Sequence, residues 1–408
     1  MRVLKRRMLL MLLAAALFAS CTAGWVAAAP RAKADEITIP ELHLSPKEIP
    51  ESDAMRMMTQ MGIGWNLGNT LDAFQEGWKA ANEMEIEASW CGCYTTKAMI
   101  HAVKEAGFST IRIPVSWHDH VSGETFAISE RWLNRVQEIV DWAMEENLYA
   151  IVNTHHDISH QFIYPSEADY ERSARYIENV WAQIADRFRE YDERLIFEGM
   201  NEPRLKDTAY EWNFNSGAPE CREAVDCINR LNQLFVDTVR ASGGKNADRY
   251  LMVPSYSASV GTALSGEFKL PADSAHQKII VSVHAYTPYN FALENGGVAS
   301  FDLKSSAQKS QIASFMQSLY DTFIRSGVPV VIGEFGARDK NGNLQDRVNF
   351  AAYYAHAAGI RNLPVIWWDN GAFSGSGEIF GIMKRSDATW QYPQIVEALV
   401  RYGGYRQP

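Results

Sequence analysis

Short apolar stretches alternate along this chain with longer amphipathic stretches. Strands in alternation with helices predict a parallel sheet, because parallel neighbours must be joined by a long crossover connection. We predict eight strands, near residues 62–67, 110–115, 149–153, 195–198, 250–253, 279–283, 330–332 and 365–368. The predicted helices lie near residues 96–106, 130–146, 170–189, 223–240, 307–325, 345–359 and 391–402, and the connection after the fifth strand has no clear helix.

The number of strands and the chain length favour one closed barrel. Eight strands in 408 residues fit a single (β/α)8 TIM barrel better than an open doubly wound sheet. The composition, 47% hydrophobic and 22% charged, is rich enough for a large core. We therefore expect one barrel domain at residues 55–408, without an appended binding module. Before it, Pro40, Pro46 and Pro50 predict an extended leader at residues 35–54.

Residues 1–34 have the pattern of a secretory signal peptide. A cationic start is followed by an apolar run over residues 8–18 and by small residues, with cleavage expected at 27–29 or 32–34. We expect a secreted, extracellular protein. Residues 17–21 also resemble a lipoprotein box, so the alternative is a lipid anchor at Cys21.

The acidic balance of the chain excludes some partners. A formal net charge of −10 and a sequence pI near 5.6 argue against nucleic acid and against an anionic membrane, since both need a basic surface. Neutral sugars remain compatible with this charge. We expect a monomer.

Four cysteines lie beyond the predicted signal: Cys91, Cys93, Cys221 and Cys227. An even count in an exported chain permits disulfides, and four cysteines allow three pairings. Closure of a loop by Cys221 and Cys227 is our hypothesis. The spacings of these pairs do not match the usual zinc patterns.

Glu202 and Glu334 each close a short apolar stretch, and each is followed by a residue that breaks the strand. A carboxyl in such a position is costly to desolvate and adds nothing to packing, which favours a chemical role for both. Paired carboxyls are typical of glycoside hydrolysis.

Polar and aromatic residues follow the other predicted strands too, where the loops of a barrel build its site. The chain carries, in order, GWNLGNTLDA, IRIPVSW, NTHHD, FEGMNEP, HAYTPYNF, IGEFG and WWDNG. This set resembles glycoside hydrolase family 5, the cellulase family, and is most similar to its subfamily 4, over roughly residues 55–402.

The resemblance implies the main roles. Glu202 matches the acid/base and Glu334 the nucleophile of a retaining mechanism, in which the two carboxyls lie about 5 to 5.5 Å apart. Arg112 and Tyr286 match the residues that hold the nucleophile charged, whereas no cation is evident beside Glu202.

Further positions match supporting and substrate-binding residues of the family. Asn201 matches the residue that bonds the sugar 2-hydroxyl, and His155 and His284 match active-site histidines. Trp368 matches the platform under the sugar; we prefer it to Trp367 because neighbouring strand residues point to opposite faces. Three strand-end or loop residues complete the predicted substrate-binding set: Asn69, His156 and Trp212.

A metal site after the third predicted strand is an alternative to the hydrolase site. His155, His156, Asp157 and His160 have suitable ligand types for a metal. Two carboxyls need no metal, so we expect no metal and no cofactor.

These observations predict a secreted retaining endo-β-1,4-glucanase. Cellulose-like chains, mixed-linkage β-glucan and xyloglucan are all candidate substrates. The alternatives are a β-mannanase of the same family, a non-catalytic sugar-binding barrel and a metal-dependent barrel hydrolase.

Overall fold

The structure, a computed structural model, describes residues 36–75, 82–375 and 377–405. The predicted signal peptide at 1–34 and Cys21 therefore lie outside the described residues. Within the described ranges, no helix combines the length and the apolarity needed to cross a membrane.

Eight parallel strands close into a barrel, which confirms the predicted fold. Each strand pairs with its neighbours in sequence, and the eighth returns to the first. The strands are β1 Ile63–Leu67, β2 Thr110–Ile113, β3 Tyr149–Asn153, β4 Leu195–Glu198, β5 Leu251–Ser259, β6 Ile279–His284, β7 Val330–Phe335 and β8 Val365–Asp369.

Four strands, β5 to β8, run further toward their carboxyl ends than the sequence predicts. We predicted that β5 would end before Pro254, but its pairing resumes at Ser259 after a register shift. Similarly, β6 and β7 pair His284 with Glu334 beyond a second register shift. These irregularities lie at the end of the barrel where the site residues lie, as bulges near active sites often do.

Ten α-helices are described, and seven of them correspond to the predicted helices. They are α1 Asp53–Met61, α2 Lys97–Glu105, α3 Glu130–Glu145, α4 Tyr170–Arg187, α5 Pro219–Ala241, α6 Val260–Ala263, α7 Tyr289–Ala292, α8 Ser306–Thr322, α9 Leu344–Gly359 and α10 Pro393–Tyr402. The connection after β5 contains only the short α6, which explains why no clear helical pattern was found there. Helix α5 begins four residues earlier than predicted, with Pro219 in its first turn. Proline is tolerated there because the first backbone N–H groups of a helix have no partner within the helix.

The segment before α1 has no regular secondary structure and packs on helices at the end of the chain. The amide of Leu42 donates to the Tyr402 hydroxyl at 3.0 Å, and the amide of Leu44 contacts His356 Nε2 at 3.0 Å. Ser52 caps α1 by accepting from the amide of Met55, so regular structure begins at Asp53.

The hypothesis of a Cys221–Cys227 disulfide is wrong. Both residues lie in α5, six positions apart, and both thiols are free and buried. Six residues of helix advance by about 9 Å. That spacing exceeds the Cα separation that a disulfide can bridge.

The barrel register places polar residues beside one another on neighbouring strands. Asn66 of β1 is paired with Arg112 of β2 and with Trp368 of β8. In the same way, Asn153 of β3 is paired with Glu198 of β4. The polar cluster described below forms where these pairs and the His284–Glu334 pair meet.

Candidate active site

The carboxyls of Glu202 and Glu334 face each other at the carboxyl ends of the strands. Glu334 lies within β7, and Glu202 lies in the loop that follows β4. His284, the last residue of β6, contacts both: its Nδ1 is 2.7 Å from Glu202 Oε1 and 3.7 Å from Glu334 Oε2. One carboxylate oxygen of each glutamate and one nitrogen of His284 lie within 4.8 Å of one another.

Glu334 is buried and held through both of its oxygens. Arg112 Nη1 donates to Oε1 at 2.8 Å, and the hydroxyl of Tyr286 donates to Oε2 at 2.9 Å. Hydrogen bonds of this kind stabilise the charged form of a carboxyl. The structure thus brings together the three residues that the sequence assigned to this part of the site.

Arg112 is the centre of a buried network. Its Nε donates to Glu198 Oε2 at 2.7 Å, its Nη2 donates to Asn201 Oδ1 at 2.6 Å, and its Nη1 also reaches Asn66 Oδ1 at 3.1 Å. Burial by itself would lower the pKa of Arg112, but the charges of Glu198 and Glu334 raise it overall. The guanidinium is therefore permanently charged.

Glu198 is a member of the cluster that was not predicted from the sequence. This residue is fully buried at the end of β4 and accepts from Ser282 at 2.6 Å and from Asn153 at 3.0 Å, in addition to Arg112. The available signal was an acidic residue that ends a buried apolar strand, four positions before Glu202. The criterion that identified Glu202 and Glu334, a carboxyl at the end of an apolar stretch, applies equally to Glu198.

Glu202 does have a cation beside it, contrary to the expectation from the sequence. Arg204 Nη1 lies 3.8 Å from Glu202 Oε2 and donates to the backbone oxygen of Glu202 at 2.9 Å. Its Nε also bonds Glu211. The sequence could not indicate this contact, because the path of the irregular segment after β4 decides whether a side chain two residues away reaches Glu202.

The pKa values of Glu202 and His284 move in opposite directions. Burial opposes the charged form of Glu202, but the hydrogen bond and charge of His284, with the charge of Arg204, lower the pKa of Glu202. Burial likewise opposes the protonated form of His284, yet the charge of Glu334 and the bond to Glu202 raise the pKa of His284. These opposite pKa shifts favour the proton of the Glu202–His284 pair on His284.

His155 lies beside Asn201 and Trp368. Its Nε2 is 3.3 Å from Asn201 Nδ2, and its ring stacks on Trp368 with centroids 5.8 Å apart and planes 2° from parallel. Burial, with the neighbouring His156, lowers the pKa of His155 well below its usual value, so the ring is neutral. The neighbouring tryptophan, Trp367, is fully buried and packs edge-on against Phe335.

His156 lies on the other side of His155, toward the rim. Its Nε2 is 3.9 Å from Asp72 Oδ2, and its ring contacts Phe74 and Trp90. Burial lowers the pKa of His156 to about 4. A neutral, half-exposed ring among aromatic side chains has the character of a sugar-contacting surface.

Asn69 and Trp212 occupy the edge of the site. Asn69 has a positive φ of 58°, and its amide donates to Asp72 at 3.0 Å. Trp212 is 60% exposed, and the guanidinium of Arg204 lies 4.0 Å from its ring centroid. Through Arg204, this exposed ring is connected to Glu202.

The four residues considered as metal ligands, His155, His156, Asp157 and His160, do not form one cluster. Asp157 Oδ1 accepts from the amides of Trp117 and His118 and from the hydroxyl of Tyr176. His160 is exposed and contacts Asp169. Among the described residues, ligand atoms come close enough for an ion in two other groups: Asp72 with His155 and His156, and Glu202 with His284 and Glu334.

Known proteins resemble this chain over most of its length. The model of the family described as cellulase (glycosyl hydrolase family 5) matches residues 72–374. Endoglucanase B of Ruminococcus albus is 40% identical over 372 residues, which cover 91% of this chain and 85% of that protein.

Solved structures are similar over most of the chain. A lichenase of glycoside hydrolase family 5 from Caldicellulosiruptor sp. F32, in a complex with cellotetraose, is 51% identical, with a TM-score of 0.89 and coverage of 90% of this chain and 100% of that chain. A GH5-4 broad specificity endoglucanase from Ruminococcus champanellensis with bound cellotriose is 44% identical, with a TM-score of 0.80 and coverage of 87% and 100%. The chain belongs to glycosyl hydrolase family 5, resembles its subfamily 4 and is a glycoside hydrolase.

Proposed function

We propose that this protein is a retaining endo-β-1,4-glucanase that cuts internal bonds of β-glucans by double displacement. The observation that carries the mechanism is the approach of the Glu202 and Glu334 oxygens to within 4.8 Å. Retaining enzymes have their carboxyls about 5–5.5 Å apart, whereas inverting enzymes need about 6.5–9.5 Å to admit a water.

In the first step, Glu334 attacks the anomeric carbon while Glu202 protonates the departing oxygen. Arg112 and Tyr286 each bond one oxygen of Glu334 and so hold the attacking carboxylate in position. Glu202 receives its proton from the bond with His284, because the two side chains share one proton across 2.7 Å.

Formation of the glycosyl-enzyme supports the return of Glu202 to the role of base. The charge of Glu334 contributes to the raised pKa of His284. In the glycosyl-enzyme that charge is lost, and the proton that His284 and Glu202 shared has left with the departing oxygen, so Glu202 is an unprotonated carboxylate. In the second step Glu202 takes a proton from the attacking water, and the ester at Glu334 is hydrolysed.

Asn201 is proposed to bond the sugar 2-hydroxyl. Its Oδ1 is occupied by Arg112, so its Nδ2 is the atom that can donate to a substrate oxygen. Such a bond strengthens as the oxocarbenium character develops. Trp368, stacked on His155, provides an apolar face for the same sugar.

The substrate class rests on the neighbours and on the rim. Two solved neighbours hold cellotetraose and cellotriose, which are β-1,4-linked glucose oligomers. We propose mixed-linkage β-glucan, cellulose-like chains and xyloglucan as substrates, with His156 and Trp212 as further contacts. Reducing-end release from barley glucan, carboxymethyl cellulose, xyloglucan and glucomannan, measured side by side, tests this. Preferential cleavage of glucomannan would favour a mannanase instead.

Azide distinguishes the two roles. In Glu334→Gly, azide should restore turnover and give a glycosyl azide of inverted configuration, because it attacks from the side vacated by the carboxylate. In Glu202→Ala, azide should intercept the glycosyl-enzyme and give a product of retained configuration. Glu190→Gln, at an exposed glutamate in the turn that follows α4, is the control. The same product configuration in both variants would contradict the assignment.

Export is a separate proposal, supported by the sequence of residues 1–34. We propose a secreted monomer, with a lipid anchor at Cys21 as the alternative. Mass spectrometry of the mature amino terminus distinguishes them, since an anchored protein would begin at a lipid-modified Cys21. Light scattering of the secreted protein would test the monomer.

A further inference from the structure

Two thiols lie together at the rim of the site. Cys91 and Cys93 are half-buried and are separated only by Gly92, whose φ of +76° makes a tight turn. Cys91 Sγ lies 3.1 Å from the carbonyl oxygen of Cys93 and 3.7 Å from that of Glu87. A Cβ on Gly92 would meet no atom within 4 Å, so the turn needs glycine for its backbone angle and not for space.

The loop that carries these thiols is fixed at both ends. Glu87 is fully buried, accepts from the amide of Thr95 at 2.7 Å and is held by Arg135. Arg135 also donates to the carbonyl of Thr95 at 2.6 Å. The ends of the loop are therefore clamped together, and this keeps the two cysteines side by side without a disulfide.

The two thiols differ in acidity. A hydrogen bond from the Cys93 thiol lowers the pKa of the Cys91 thiol to about 6; burial opposes this effect, and the charge of Arg385 adds to it. The same hydrogen bond, with burial, raises the pKa of Cys93. A thiolate beside a protonated thiol is the arrangement of an attacking and a resolving cysteine.

We propose that Cys91 and Cys93 form a reversible redox site at the edge of the substrate groove, which reacts with small-molecule disulfides such as oxidised glutathione. The Cys91 thiolate attacks one sulfur of the disulfide and releases one thiol. Cys93 then gives up its proton and attacks Cys91 Sγ, which expels the second thiol. Two cysteine thiols are oxidised to one disulfide, and the reagent is reduced to two thiols.

The position of Trp90 connects this site to the groove. Trp90, which directly precedes Cys91, is 38% exposed, and its ring lies 5.3 Å from Phe74 and 5.7 Å from His156 between centroids. Ring closure withdraws Cys91 Sγ from the carbonyl of Cys93, and the chain at Trp90 must adjust. We expect oxidation to change KM for glucan oligomers and to leave kcat unaltered. This consequence rests on the proposed function, whereas the thiol chemistry does not.

The experiment treats the exported protein with oxidised glutathione, blocks the remaining thiols and maps the peptides by mass. The wild type should lose two hydrogens in the peptide that carries both cysteines and retain no glutathione. Cys93→Ser should hold one glutathione on Cys91, and Cys91→Ser should react about tenfold more slowly. Cys221 and Cys227, both buried, are the internal control and should stay unmodified.

Free thiols in the treated wild type, or a stable glutathione adduct there, would overturn the proposal. Equal rates in the two serine variants would overturn the assignment of Cys91 as the attacking thiol. The oxidised wild type is finally compared with the same sample reduced by dithiothreitol. A KM for cellotetraose that rises about twofold or more supports the coupling through Trp90, and an unchanged KM refutes the coupling alone.

Discussion

Arg112 donates to Glu334 across 2.8 Å while the same guanidinium is bound to Glu198 at 2.7 Å. One guanidinium thus bonds two buried carboxyl groups. The charge of Glu334 is one cause of the raised pKa of His284, and the charge of Arg112 opposes it. The support of the proposed nucleophile and the proton supply of the proposed acid are therefore connected through Arg112 and Glu334.

Loss of Arg112 should be destabilising mainly because it leaves Glu198 without a cation. We expect Arg112→Met to lower the free energy of unfolding by about 3–5 kcal/mol, the usual cost of an unpaired buried charge. Adding Glu198→Gln in the same molecule should recover part of this loss, since the buried charge is removed. Denaturant unfolding of the two single variants and the double variant measures the coupling. Strictly additive losses would contradict a shared network.

Arg204 should set the alkaline side of the pH profile. The charge of Arg204 helps to lower the pKa of Glu202, so Arg204→Gln should raise that pKa. The acid then stays protonated to higher pH, and the alkaline limb of kcat/KM should move to higher pH. The acidic limb, which depends on ionised Glu334, should stay in place. Arg189→Gln removes the same charge from an exposed site and is the control. A shift to lower pH would refute this role.

Trp212 should contribute to binding and not to the chemical step. Its ring is exposed and lies over the guanidinium of Arg204. We expect Trp212→Ala to raise KM for long oligosaccharides roughly two- to tenfold, as the loss of about 0.5–1.5 kcal/mol of stacking implies. Leu270→Ala, an exposed apolar residue in the connection before β6, is the matched control. Equal KM values in the two variants would remove Trp212 from the substrate site.

His120 should make the fold sensitive to acid. It is buried and stacked on Trp132, with ring centroids 3.7 Å apart, and burial lowers the pKa of His120 to about 4. Below pH 6.5 the unfolded chain binds a proton on this residue that the folded chain refuses, so stability present at neutral pH is lost as the pH falls toward 4.

His120→Phe keeps a ring on Trp132 and removes the titration. The wild type should therefore lose up to about 3 kcal/mol relative to this variant between pH 6.5 and pH 4. Denaturant unfolding of both proteins across that range measures the difference. Parallel pH profiles for the two proteins would show that His120 does not titrate differently on folding.

The alternation of apolar strands and amphipathic helices was sufficient to predict the barrel, because each element is specified by its own local periodicity. Local pattern also placed Glu202 and Glu334 at strand ends. It could not decide which polar residues meet, since the contacts of Arg112 join β1, β2, β4 and β7 across 222 positions of sequence.

The contacts that the sequence left undetermined, or indicated wrongly, depend on closure and register. Arg204 lies near Glu202 because of the path of the loop after β4. Cys221 and Cys227 are separated along one helix. Asp157 accepts a hydrogen bond from the amide of Trp117 and does not join His156 in a metal site. The sequence by itself determined the eight strands, seven of the ten described helices and the two glutamates. Only the tertiary structure decided their electrostatic surroundings, because hydrogen bonds and desolvation depend on which strands close against each other and on the residue at which they pair.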